Sequence, residues 1–326
     1  MLLDTASLYF RAFYGMPSTM LTPDGQPVNA VRGLLDFIAR LVTSYRPTHL
    51  AACWDNDWRP QWRVDLLPSY KTHRVAEQPV TVETGGIGGA GAPGAESGIA
   101  EDSPDRLGVQ VPWIVDTLDA AGIPIVGVDG YEADDVIGTL SKVGADAGMD
   151  VDVVTGDRDL FQLVDDDAGV RVVYTARGMS NLQEVDNAWI QNKYGIDAAQ
   201  YADYATMRGD TSDGIPGVRG IGEKSAAQLL GKFGSLTGII EAASDPSSAV
   251  TPANRKKFAD AIDYLAVGPQ VVAVARELPV DTTLDDLALP GGPADPEGYA
   301  ELTERLGLGS SAARLLAALE HHGGAA

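Results

Sequence analysis

Residues 151–160 read Val151-Asp152-Val153-Val154-Thr155-Gly156-Asp157-Arg158-Asp159-Leu160. The β-branched run from Val151 to Thr155 predicts a short strand, and Gly156-Asp157-Arg158-Asp159 predicts the turn that ends it. Three more apolar runs stand earlier in the chain, at Met1 to Leu3, His49 to Trp54 and Ile123 to Val128. A helical pattern from Val28 to Tyr45 lies between the first two, and another from about Ala133 to Ala147 joins the last pair. This alternation predicts an α/β domain built on a largely parallel sheet. Val170 to Tyr174 predicts a further strand, followed by a polar turn at Arg177-Gly178 and a short return strand; helical patterns then dominate.

The acids fall at informative places. Asp4 ends the first strand and Asp55 the second; Glu132, Asp134 and Asp135 follow the third; Asp157 and Asp159 follow the fourth. The carboxyl ends of the strands in an open parallel sheet share one edge, so residues distant in sequence converge there. Carboxylates crowded at that edge repel one another and raise each other's pKa unless cations are bound. Oxygen ligands without His or Cys suit magnesium or manganese rather than zinc. Taken singly, Glu132-Ala133-Asp134-Asp135 also reads as dipole-complementing acids at a helix start, and Gly156-Asp157-Arg158-Asp159 as an ordinary turn. The joint placement at four strand ends favours a metal site.

With 326 residues and 44% hydrophobic content, the chain can bury a substantial core in one large domain or two closely joined ones. Met1 to Phe10 lacks a basic leader pattern and no apolar run reaches spanning length, so a cytoplasmic protein without membrane insertion is expected. The single cysteine, Cys53, lies in an apolar run and reads as a small buried hydrophobe. A net charge of −22 argues against a nucleic-acid partner, but part of the acid excess belongs to the proposed cation site. The bases also cluster locally, at Arg59, Arg63, Lys71 and Arg74. The stretch 84–98, TGGIGGAGAPGAESG, reads by composition as a flexible loop or an inert linker.

The run Gly209-Asp210-Thr211-Ser212-Asp213-Gly214-Ile215-Pro216-Gly217-Val218-Arg219-Gly220-Ile221-Gly222-Glu223-Lys224 is the most specific signal. Gly217, Gly220 and Gly222 fit a helix-hairpin-helix turn, where small residues let backbone approach a phosphate and the N–H groups opening the next helix, from Lys224, receive it. That predicts DNA binding without sequence preference; a plain helical hairpin is the alternative.

The segments LLDTASLYFRAFYG, SYKTHR, GYEADD, TGDRDL and GDTSDGIPGVRGIGEKSA occur in the order found in the bacterial and phage 5′-nucleases, the flap endonuclease family that includes the 5′-nuclease domain of DNA polymerase I. The chain resembles that family from Met1 to about Leu319. The resemblance implies a PIN-like nuclease domain at 1–185, with an arch segment at about 59–107. A helix-three-turn-helix DNA-binding region at 186–290 follows, then C-terminal helices at 291–326 packed back on the nuclease domain as an amphipathic pair. It implies one metal group of Asp4, Asp55, Glu132, Asp134 and Asp135, and a second of Asp157, Asp159, Asp210 and Asp213. Two or three Mg2+ ions are implied, with Mn2+ able to substitute and K+ held by hairpin carbonyls.

Lys71 and Arg74 match the basic pair that lies over the scissile phosphate. Tyr70 beside them reads either as a base-stacking aromatic or as a core tyrosine. Arg219 and Lys224 join the hairpin glycines as expected DNA contacts. The glycine-rich run within the arch and Thr5, where relatives commonly have Gly, depart from the family pattern.

The implied activity is that of a structure-specific 5′-3′ exonuclease and flap endonuclease. It leaves 5′-phosphate and 3′-hydroxyl ends and serves primer removal and DNA repair. Expected partners are DNA with 5′ flaps, gaps or ends and RNA–DNA primers, and the expected form is a free-standing monomer. A PIN-type ribonuclease and a non-catalytic branched-DNA-binding protein are the rivals, and the hairpin weighs against the first.

Overall fold

The computed structural model describes residues 1–75 and 105–323. The glycine-rich stretch 84–98 and most of the expected arch lie outside the described residues. Six strands form one sheet: β1 (Leu2–Asp4), β2 (Ala51–Cys53), β3 (Ile125–Val126), β4 (Val151–Thr155), β5 (Val170–Tyr174) and β6 (Gln183–Val185). Their order is β3-β2-β1-β4-β5-β6. The first five run parallel and β6 pairs antiparallel at the edge. The chain winds from β1 outward through β2 to β3, then crosses back to β4 on the other side of β1. The switch point therefore lies between β1 and β4, where an open sheet of this kind forms its ligand crevice.

Alternate strand residues supply two cores, one on each face. Leu2, Ala51, Cys53, Val151, Val153, Val170 and Val172 pack on one side. Leu3, Ala52, Val154 and Val173 pack on the other. Cys53 is buried, as its apolar surroundings in the sequence imply.

The second face is covered by the helices Asn29–Tyr45 and Val111–Ala121 and by a C-terminal pair, Pro296–Leu306 and Gly309–Gly323. Helix Gly309–Gly323 lies along Asn29–Tyr45, and Arg314 Nη2 meets Asp36 Oδ1 at 2.7 Å. The first face is covered by helix Ala133–Asp146 and by the helical region from Asn187 onward.

Two strands are shorter than their apolar runs. β2 keeps three residues of His49 to Trp54, and β3 keeps two of Ile123 to Val128. Pro124 has no N–H for the ladder, although its carbonyl accepts from Ala52 N at 2.8 Å. Among the described residues no helix is long and apolar enough to cross a membrane.

Candidate active site

Asp4 is the last residue of β1 and the N-cap of helix Thr5–Gly15. Its Oδ1 accepts from Ser7 N at 3.0 Å and its Oδ2 from the Thr155 hydroxyl at 2.6 Å. Burial pushes the Asp4 carboxyl up to about 7 in spite of these bonds, with Asp55 and Asp157 adding to the rise. Asp55, beyond β2, accepts from Ala133 N at 2.8 Å at the start of helix Ala133–Asp146. Its carboxyl is also raised, chiefly by burial. Asp134, on the first turn of that helix, is pushed well up by burial and by the charges of Asp4 and Asp157.

The turn after β4 folds on itself: Asp157 N donates to Thr155 Oγ1, and Asp159 N to Asp157 Oδ1, both at 2.8 Å. Asp159 is raised to about 8 by burial and then by Asp157 and Asp213. Its Oδ1 is buried without a hydrogen-bond partner.

Glu132 has the opposite balance. Burial opposes its charge, but Lys71 and Arg63 outweigh burial and hold it below the usual range. Lys71 Nζ and Arg63 Nη1 both ion-pair with it, and the Tyr70 hydroxyl donates to Oε2 at 2.6 Å.

A second segment closes the site. Asp210 and Asp213 stand on the loop 209–215, pinned by reciprocal bonds between Asp210 and Ile215 at 2.9 and 2.8 Å. The basic turn at Ser69 to Arg74 is stitched onto this loop. Lys71 N donates to Asp213 O at 2.9 Å, and Ser69 Oγ to Gly214 O at 2.7 Å. Gly214 has φ +67°, and a Cβ there would lie 2.0 Å from the Ser69 carbonyl oxygen, so only glycine permits the junction. Lys71 itself is held at φ 48°. Arg74 Nη2 reaches Asp213 Oδ1 at 2.5 Å, and Arg158 Nη2 reaches Asp210 Oδ2 at 2.7 Å. Burial raises Asp213 despite Lys71 and Arg74; at Asp210, Ser212 and Arg158 overcome burial and lower the carboxyl.

The result is a cavity of about 430 Å3 walled by Asp4, Asp55, Glu132, Asp134, Asp157, Asp159, Asp210 and Asp213, with Lys71, Arg74 and Arg158 among them. Eight of the nine expected acids thus meet. Asp135 does not: it is fully buried on the other side of the helix turn, gripped by Arg63 through two bonds of 2.8 Å and by Ala275 N at 2.8 Å. Arg63 also donates to the Val271 and Ala273 carbonyls at 3.1 and 3.3 Å, which ties this hub to the helical region. Tyr70 is the core tyrosine, 4% exposed with its hydroxyl on Glu132, and is not an open stacking surface.

The donor set fits divalent cations. Every acid on the wall offers hard oxygens, no His or Cys lines it, and Asp159 Oδ1 accepts no hydrogen bond, with Arg208 Nη2 3.8 Å away. Among the described residues no three acids are already drawn together as a ready cage. Glu132, Asp210 and Asp213 face Lys71, Arg158 and Arg74 instead.

At the hairpin, Ile221 N donates to Val218 O at 2.9 Å, and Gly222 caps helix Glu223–Phe233. Arg219, Gly220, Gly222 and Lys224 are exposed. A Cβ on Gly222 would meet nothing within 4 Å. Gly217 differs: it is buried, and a Cβ there would lie 2.6 Å from Gly209 N, so it closes the base of the 209–217 loop. At the tip, Lys257 Nζ donates to the Gly220 carbonyl at 2.9 Å.

The sequence reading missed Ser7, Thr155, Arg158 and Arg208. Ser7 stands three residues after Asp4, which is an N-cap spacing, and Thr155 adjoins the Gly-Asp turn; both were open to inspection. Arg158 and Arg208 carry no such local signal.

A family model described as "5'-3' exonuclease, N-terminal resolvase-like domain" matches residues 1–195, and one described as "5'-3' exonuclease, C-terminal SAM fold" matches residues 196–295. The chain is 56% identical over 319 residues to a protein named 5'-3' exonuclease from Streptomyces coelicolor, covering 98% of this chain and 99% of that one. It is 46% identical over 324 residues to a 5'-3' exonuclease of Mycobacterium tuberculosis, covering 98% and 97%. With DNA polymerase I of Mycobacterium bovis it shares 34% over 290 residues, which is 89% of this chain and 28% of the polymerase.

Solved structures with the same fold include phage T5 5'-exonuclease with bound divalent zinc ions, at TM-score 0.57 and 16% identity over 98% of each chain. The catalytic core of Rad2 in complex with DNA substrate matches at TM-score 0.56 and 18% identity, over 98% of this chain and 92% of that one.

Proposed function

Because this chain belongs to the 5′-3′ exonuclease family, we propose that its acid-walled crevice hydrolyses DNA phosphodiesters at 5′ ends and at the junctions of 5′ flaps. The products are 5′-phosphate and 3′-hydroxyl ends, and the roles are primer removal and DNA repair by a cytoplasmic monomer. The observation that carries this reading is the single cavity in which eight carboxylates face Lys71, Arg74 and Arg158. An acid set of this density suits divalent cations, and a cationic wall suits a phosphate.

Asp4, Asp55 and Asp134 would hold one magnesium or manganese ion, joined by Asp157, which the resemblance put in the second group but whose charge bears on Asp4 and Asp134 here, while Glu132 is left to Lys71 and Arg63; Asp159, Asp210 and Asp213 would hold a second. When bound, such ions polarise the attacking water and neutralise charge on the leaving oxygen. The chain's own groups do the rest. Arg63 and Tyr70 fix Glu132 from beneath, so that its carboxylate is oriented without being free to rotate. Lys71 and Arg74, positioned by the stitched turn, compensate charge that grows on the scissile phosphate. Arg219, Gly220, Gly222 and Lys224 take the duplex backbone without reading its bases, because phosphate contacts position but do not specify. A potassium ion at this hairpin would share its tip with the Lys257 ammonium. RNA–DNA primers are substrates of the same kind, since none of these contacts reads the sugar.

The test is cleavage of a 5′-labelled flap DNA by wild type and Asp157→Ala, with magnesium and with EDTA. Expected are magnesium-dependent cuts near the flap junction, reduced at least about a hundredfold by the substitution while DNA binding persists. A wild-type protein that binds the flap and never cuts it would leave a branched-DNA-binding protein as the correct reading.

A further inference from the structure

The acids of the cavity differ in their partners: Glu132, Asp159, Asp210 and Asp213 each have a Lys or Arg within 4 Å and, among the described residues, the other four have none. Among the described residues, Asp4, Asp55, Asp134 and Asp157 form no ion pair with a Lys or Arg, and their hydrogen bonds come from backbone N–H groups and the Thr155 hydroxyl. Asp210 is engaged on both oxygens. Ser212 N donates to Oδ1 at 2.8 Å, and Arg158 and Arg208 reach Oδ2 at 2.7 and 3.4 Å. Arg158 stands between Asp157 and Asp159 in the turn after β4, lines the cavity and keeps 41% of its side chain exposed. Arg208 is nearly covered, at 8%, with its guanidinium over the Tyr204 ring.

We propose that Arg158 is a positioning residue for the second cation. It is a tethered counter-ion to Asp210 that is displaced when a divalent ion enters beside Asp159 and Asp210. This rests on the two-cation reading of the site. The geometry makes the two groups unequal. The first has nothing cationic to expel, whereas in the second Arg158 on Asp210 and Arg74 on Asp213 both compete with a metal ion, which loads less tightly by the strength of those pairs. Arg158 is the mobile partner because its chain is half open to the cavity, while Arg208 is packed in place and keeps Asp210 partnered after the exchange. A bridge that merely ties the β4 turn to the 209–215 loop would affect stability without favouring cation release.

The experiment is a calorimetric titration of the metal-free chain with manganese alone, without DNA, for wild type and Arg158→Met. Wild type is expected to show a tight and a weak class of site. In Arg158→Met the weak class tightens about three- to tenfold, the worth of a partly exposed ion pair, and the tight class stays within about twofold. Arg158→Lys keeps the charge and stays near wild type. If Arg158→Met does not fold, Arg158→Gln carries the same comparison, with the same tightening expected. An unchanged or weakened second class in the variant overturns the proposal. A wild type that binds no manganese overturns the two-cation reading and the proposal together.

Discussion

Arg63 shows how much one side chain can organise. It is 2% exposed, yet it pairs with Glu132 and Asp135 and donates to carbonyls at Val271 and Ala273. Removing one member of such a cluster leaves uncompensated buried charge, so Arg63→Ala should destabilise the protein by about 3–5 kcal/mol, read by denaturant unfolding. A loss under about 1 kcal/mol would mean that water replaces the guanidinium. Tyr70→Phe removes only the hydroxyl on Glu132 and should cost about 1 kcal/mol of stability, with a severalfold drop in kcat at unchanged KM. An intact kcat would show that Glu132 is held without Tyr70. The same cluster explains why Asp135 was misplaced by sequence reasoning. Neighbouring helical residues point about 100° apart, so Asp134 and Asp135 face different surroundings, the cavity and Arg63. Only the buried arginine, which no spacing reveals, shows which one does.

At the scale of elements, β4 and β5 are legible to the residue because each is a valine-rich run broken once, by Asp152 or Arg171, with a glycine at one end, Gly156 after β4 and Gly169 before β5. The convergence of acids at strand ends follows from parallel pairing alone, which is why Asp4, Asp55, Glu132, Asp134, Asp157 and Asp159 could be named from the pattern, whereas Asp210 and Asp213 came only from the family resemblance. The stitching of turn 69–74 to loop 209–215 was not legible, since its bonds join residues some 145 positions apart. Nor was the Arg158–Asp210 pair, which spans 52 positions.

Two glycines in the same run now separate. Gly214→Ala places a Cβ against the Ser69 carbonyl at positive φ, and should cost about 1–3 kcal/mol while lowering kcat/KM by shifting Lys71 and Arg74. Gly222→Ala meets open space, so its melting temperature should barely move, while binding of duplex DNA weakens severalfold. Equal DNA affinity in Gly222→Ala and wild type would remove that helix start from the interface.

For the molecule as a whole, the acid cavity sets the dependence of stability on pH. Asp4 is pushed up to about 7 and Asp159 to about 8, against about 4 for an unfolded aspartate. Between those values the folded chain retains protons that the unfolded chain has released, so stability falls as pH rises through the window. In EDTA the melting temperature should therefore be lower near pH 8 than near pH 5, and magnesium should raise it most at the higher pH, where it replaces the missing protons. A melting temperature flat in EDTA across that range would contradict the arrangement.

The C-terminal helix pair carries a different consequence. Helix Asn29–Tyr45 has one side closed by helix Gly309–Gly323, and Arg314 and Asp36 are 278 positions apart. A ribosome moving at roughly 5–20 residues per second leaves that side bare for about 15–60 s. The nascent chain thus carries an uncovered apolar stripe through most of its own synthesis, although every acid of the cavity, the last being Asp213, is made before the covering helix is.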